Sequence, residues 1–63
     1  MTKLELHVKT ELIKRGMTQR ALARELGIHH VQLNAVLKGR RDDRHVTELI
    51  WNWLRAIWTE EME

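Results

Sequence analysis

A chain of 63 residues has room for one small core, which buries only about 60% of the unfolded chain's surface, so one domain of modest stability is expected. With no cysteine the disulfide route to stability is closed, and no apolar run is long enough for a signal peptide or a membrane span, so a soluble cytoplasmic protein is expected. The net charge of +2 is unevenly spread: residues 1–41 carry nine Lys/Arg against three Glu, and residues 42–63 carry two Arg against six acids. An anionic partner is therefore expected to meet the first part.

There is no proline, and Gly16, Gly27 and Gly39 divide the chain into segments of helical length, each glycine standing where a helix would stop. The whole chain reads as helix. The first helix is predicted from Lys3 to Arg15, with Leu4, Val8 and Leu12 inward and Leu6 and Ile13 off that stripe. A second begins at Thr18, whose hydroxyl suits an N-cap, buries Leu22, Ala23 and Leu26, and ends at Gly27. Ile28 and His29 form the turn, and a third helix follows from about His30 to Lys38 with Leu33, Val36 and Leu37 inward. This is a helix-turn-helix over about 18–38.

Asp42 or Asp43 can cap a long tryptophan-rich C-terminal helix over about 43–60, ending in an acidic tail, "EEME", that opposes the helix dipole and is expected to fray. Two apolar stripes run along it. Val46, Leu49, Ile50, Trp53 and Ile57 suit the core, while Trp51, Leu54 and Trp58, continued by Met62, form a second stripe expected to be a homodimer interface. The alternative is that Trp51 and Trp58 fold back over the first helix and cap the core.

With Leu33, Val36 and Leu37 facing the core, His30, Val31, Asn34, Ala35 and Lys38 share the opposite side of the third helix. Packing does not require that mixture of short and hydrogen-bonding groups. It suits a helix in the DNA major groove, where acidic side chains would be repelled by phosphate and short ones permit close approach. Asn34 can bond adenine in a bidentate way, Val31 and Ala35 offer apolar contact to thymine methyls, and His30 can donate to guanine or phosphate. Sites containing A·T pairs are expected. Arg20, Lys38, Arg40 and Arg41 are placed to meet the DNA backbone.

"MTQRALARELGI" followed by "HHVQLNAVLKGRR" resembles the Cro and phage-repressor (XRE-like) helix-turn-helix family. The resemblance rests on Met17, Thr18, Gln19, Leu22, Ala23, Leu26, Gly27, Ile28 and Gly39, and covers about residues 8–41. It implies a compact all-α, four-helix, lambda-repressor-like domain. It further implies that Gln19 touches a phosphate and braces the third helix, that His30, Val31 and Ala35 reach base edges, and that Gln32 and Asn34 flank them. Three features depart from the family pattern. His29 stands where Ser or Thr is usual, Leu12 and Leu37 stand where many relatives pair an Arg with a Glu, and one C-terminal helix replaces two shorter ones.

The expected function is sequence-specific binding of double-stranded DNA at a near-palindromic site by a small homodimeric Cro/repressor-like regulator. The competing reading is a protein-interaction module, adaptor- or antitoxin-like, that uses the tryptophan helix. RNA binding ranks lower, because no aromatic lies on the basic half for base stacking. His7, His29, His30 and His45 have no i,i+3 or i,i+4 spacing, so no metal site is expected. Enzymatic activity, a cofactor and a small-molecule ligand are not expected either, given the absence of Ser, Cys and Tyr and too little chain to enclose a pocket.

Overall fold

The computed structural model describes residues 2–62; Glu63, the last residue of the acidic tail, lies outside them. Four helices follow one another: α1 Lys3–Arg15, α2 Gln19–Leu26, α3 His30–Leu37 and α4 Arg44–Glu61. Among the described residues there is no strand, and no helix is long and apolar enough to cross a membrane.

Each helix starts on a side chain that satisfies an otherwise free backbone N–H. The Thr2 hydroxyl accepts from the Glu5 amide at 3.0 Å, and that of Thr18 accepts from Ala21 at 3.1 Å. The Asp43 carboxylate accepts from Val46 at 3.2 Å, so of the two candidate aspartates the second is the cap. The chain leaves α2 through Gly27 at φ 74°, which lets the Ile28 amide reach back to the Ala23 carbonyl at 2.9 Å. Gly39, at φ 76°, does the same after α3, where the Arg40 amide donates to the Ala35 carbonyl at 2.9 Å.

The core gathers Val8 and Leu12 of α1, Leu22 and Ala23 of α2, Leu33, Val36 and Leu37 of α3, and Val46, Ile50 and Leu54 of α4. Leu12 and Leu37 both lie in this cluster, so apolar packing occupies the positions where many relatives carry an ion pair. Leu6 and Ile13 point away from it and are exposed, as their place off the α1 stripe predicts.

On α4 the structure corrects the two-stripe reading. Leu54 is completely buried in the core of its own chain and offers nothing to a partner. Val46, Ile50, Leu54 and Ile57 are the buried line of the helix, with Trp53 packed half-buried beside them. Trp51 and Trp58 flank that line and also pack half-buried on the core. Their rings meet the His7 ring of α1 at centroid distances of 6.1 and 5.6 Å, and each other at 6.3 Å. The physical reason is the side-by-side packing of α1 on α4, which covers the flank of α4 that sequence periodicity alone leaves bare. Met62 is 87% exposed beyond it.

The helix also runs slightly further than the spacing predicts. α4 continues through Glu61, whose carboxylate lies 3.1 Å from the Lys14 ammonium of α1. Lys14 also sits 3.6 Å from the buried Glu11. A second acid of α1, Glu5, is 1% exposed. Its carboxylate is 3.0 Å from Lys38 and 3.7 Å from Lys9.

Candidate nucleic-acid interface

α3 is an eight-residue helix, too short to hold its own conformation in water, so its shape depends on its ends and on the core beneath it. Leu33, Val36 and Leu37 anchor the inner face. On the outer face Val31 is 60% exposed and Asn34 is exposed, with His30 and Ala35 half-buried alongside. Those four predicted base-reading residues therefore share one accessible surface.

The fifth, Gln32, is turned elsewhere. Its amide donates to the Asp43 carboxylate at 3.1 Å, while the other oxygen of that carboxylate caps α4. Gln32 thus ties the recognition helix to the start of α4, and its side chain is committed within the chain. Two hydrogen bonds, first from the Val46 amide and then from Gln32, hold the Asp43 carboxyl below the usual carboxylate range against the opposing effect of burial.

The start of α3 is capped by an imidazole. His29 Nδ1 accepts the Val31 amide at 3.2 Å, so the position where relatives carry Ser or Thr keeps its capping role with different chemistry. Accepting requires Nδ1 to be the unprotonated nitrogen. The His29 and His30 rings stack with centroids 4.8 Å apart. Partial burial, and then the nearby charges of Arg20 and His29, push the His30 imidazole below its ordinary value.

Of the residues predicted to meet the DNA backbone, Arg20, Arg40 and Arg41 are exposed and Gln19 is half-buried at the first turn of α2. Arg41 lies 4.0 Å from the Asp43 carboxylate, a surface contact of little energetic weight. Among the described residues no carboxylate lies within ion-pair distance of Arg20 or Arg40. Lys38 differs from them, since its ammonium points to Glu5.

Between α2 and the start of α3 lies an open depression of about 350 Å³, lined by Arg20, Ala23, Arg24, Ile28, His29 and His30. Arg20 and Arg24 are its cations and no acidic side chain lines it, so the cleft concentrates positive potential beside the recognition helix. Arg24 was not singled out from sequence. The available signal was its i,i+4 relation to Arg20, which puts both on one flank of α2. Glu5 could have been found in the same way, because the spacing 5, 8, 12 places it on the buried face of α1.

Residues 8–42 match the sequence model of the helix-turn-helix family. No curated protein sequence and no solved structure matches the chain. The matched segment runs from the middle of α1 to the loop before α4, and it contains the capped, glycine-hinged α2–α3 pair and the basic groups around it. The chain belongs to the helix-turn-helix family, of the XRE- and Cro-like kind, whose members are DNA-binding transcription regulators.

Proposed function

We propose that the protein reads a specific double-stranded DNA sequence by laying the outer face of α3 in the major groove, and that it regulates transcription as a Cro- or repressor-like homodimer on a near-palindromic site. The observation that carries the reading is the accessible surface of Val31, Asn34, His30 and Ala35, set between Arg20 on one side and Arg40 and Arg41 on the other. The short and amide-bearing groups discriminate bases, and the guanidinium groups supply salt-sensitive affinity for phosphate. Gln19, at the first turn of α2, is assigned a phosphate contact. Gln32 is withdrawn from base reading and assigned to holding α3 in place through Asp43.

The homodimer reading is kept in altered form. Leu54 takes no part, and the contact is assigned to Met62 with the outer edges of Trp51 and Trp58. The same burial narrows the surface open to the adaptor alternative, because the tryptophans already pack on His7 and the core, and it narrows the homodimer contact equally.

Asn34→Ala is expected to weaken binding to the preferred duplex by about 1–3 kcal/mol and to relax base choice, whereas Arg40→Ala weakens binding to all sequences alike and lowers the slope of log K against log salt by about one. Fluorescence anisotropy on preferred and random duplexes across a salt series measures both. Equal losses on the two duplexes for Asn34→Ala would contradict base reading at that position.

A further inference from the structure

We infer that Glu5 is a positioning residue for DNA recognition: the ion pair of its buried carboxylate with the exposed Lys38 fixes the C-terminal turn of α3 onto α1, and the Lys38 charge is used on that carboxylate rather than on a phosphate. The inference rests on the assignment of α3 as the recognition helix and concerns what sets the tilt of that helix.

Three contacts converge on the same turn. The Thr2 hydroxyl donates to the Leu37 carbonyl at 2.8 Å across 35 residues of sequence. The Glu5 carboxylate meets the Lys38 ammonium at 3.0 Å. Gly39 lies beside Thr2, where an added Cβ would sit in van der Waals contact, 3.4 Å from the threonine methyl carbon. Thr2 also caps α1 by accepting the Glu5 amide, so one hydroxyl and one carboxylate from the first turn of α1 close on the last turn of α3. The opposite end of α3 is held separately, by the Gly27 turn to α2 and by the Gln32 amide on Asp43.

Burial decides which partner Lys38 keeps. A carboxylate that is 1% exposed is costly to leave unpaired, whereas a DNA phosphate is solvated and screened. Among the described residues, moving the ammonium to DNA would leave Glu5 with Lys9, at 3.7 Å, as the one remaining side-chain cation within 4 Å. The Lys38 ammonium beside it, acting against desolvation, holds the Glu5 carboxyl below the usual carboxylate range. Arg40 and Arg41, by contrast, have no buried acid to satisfy.

The test is a double-mutant cycle of Glu5→Gln and Lys38→Met, with Arg40→Ala as the control. Two readouts are taken for each variant: the salt slope on a mixed-sequence duplex of about two helical turns, and the ratio of affinities for a selected duplex over that mixed-sequence duplex. Arg40→Ala should lower the slope by about 0.9 with the ratio intact. Lys38→Met should leave the slope at the wild-type value and lower the ratio about tenfold; Glu5→Gln should lower the ratio by the same factor, and the double variant no further. A slope lowered by about 0.9 in Lys38→Met, with the ratio preserved, would overturn the inference, as would independent losses that multiply in the double variant. If Glu5→Gln loses its helical circular dichroism, Lys38→Met alone decides, since Lys38 is a partly exposed side chain beyond the end of α3. Failure of the underlying DNA reading is separable, because it would show as wild-type protein with no salt-dependent affinity for either duplex.

Discussion

His29 caps α3 through Nδ1, which accepts the Val31 amide. His30 beside it is held below its ordinary value, so the folded state prefers the neutral ring and the unfolded chain takes up its proton first, near pH 6.5. The His30 contribution to stability is therefore complete above about pH 6.5 and is lost as pH falls through the lower folded value. Glu5 and Asp43, both lowered, contribute in full above about pH 4 and lose that contribution below it. Lys14 runs the other way. Its hydrogen bond to Glu61, assisted by the charge of Glu11, raises it, so its contribution persists up to about pH 10 and is lost as pH rises through the folded value. Melting temperature against pH should be flat between about 7 and 10 and fall in two steps on the acid side, first below about 6.5 and then below about 4. His30→Gln should remove the first step, because glutamine carries no titrating ring. An unchanged first step in that variant would show that the His30 imidazole is not its source.

At the scale of whole elements, the sequence is most legible where periodicity and punctuation agree. The bounds of α1, the Thr18 start of α2, the Gly27 hinge and the inward faces of α2 and α3 follow from apolar spacing, a hydroxyl cap and glycine, all local properties of the chain. α4 was less legible because its apolar arc is wide. Spacing alone does not tell which part of such an arc is covered by a neighbour, and the answer came from α1, whose His7 faces Trp51 and Trp58. The same limit hid the roles of Gln32, Lys38 and Glu5. A helical wheel gives the side on which a residue lies but not the partner 11 or 33 positions away that its polar end will meet. With Leu54 fully enclosed, Leu54→Ala should destabilise the fold by about 3 kcal/mol through lost burial and a residual cavity. For a chain with roughly 3–9 kcal/mol in all, that is a severe loss. Urea denaturation followed by tryptophan fluorescence measures it, and a cost under about 1 kcal/mol would place Leu54 at a yielding surface instead of the core.

For the whole molecule, basic side chains lie by both ends of the recognition helix: Arg20 and Arg24 line the depression at its start, and Arg40 and Arg41 follow its last turn in the chain. At the last turn of α4, Glu61 pairs with Lys14 of α1. Met62 is exposed and makes no core contact, so Met62→Asp should leave the melting temperature nearly unchanged while shifting sedimentation towards the monomer. A wild-type protein that sediments as a monomer at high concentration would remove the dimer and leave the DNA interface standing. The outer face of α3 remains the central claim, and selection of bound duplexes from a random-sequence pool tests it most directly. The account predicts enrichment of one motif containing A·T pairs, repeated as a near-palindrome with half-sites about one helical turn apart; recovery of the starting pool without enrichment, at low salt, would contradict it.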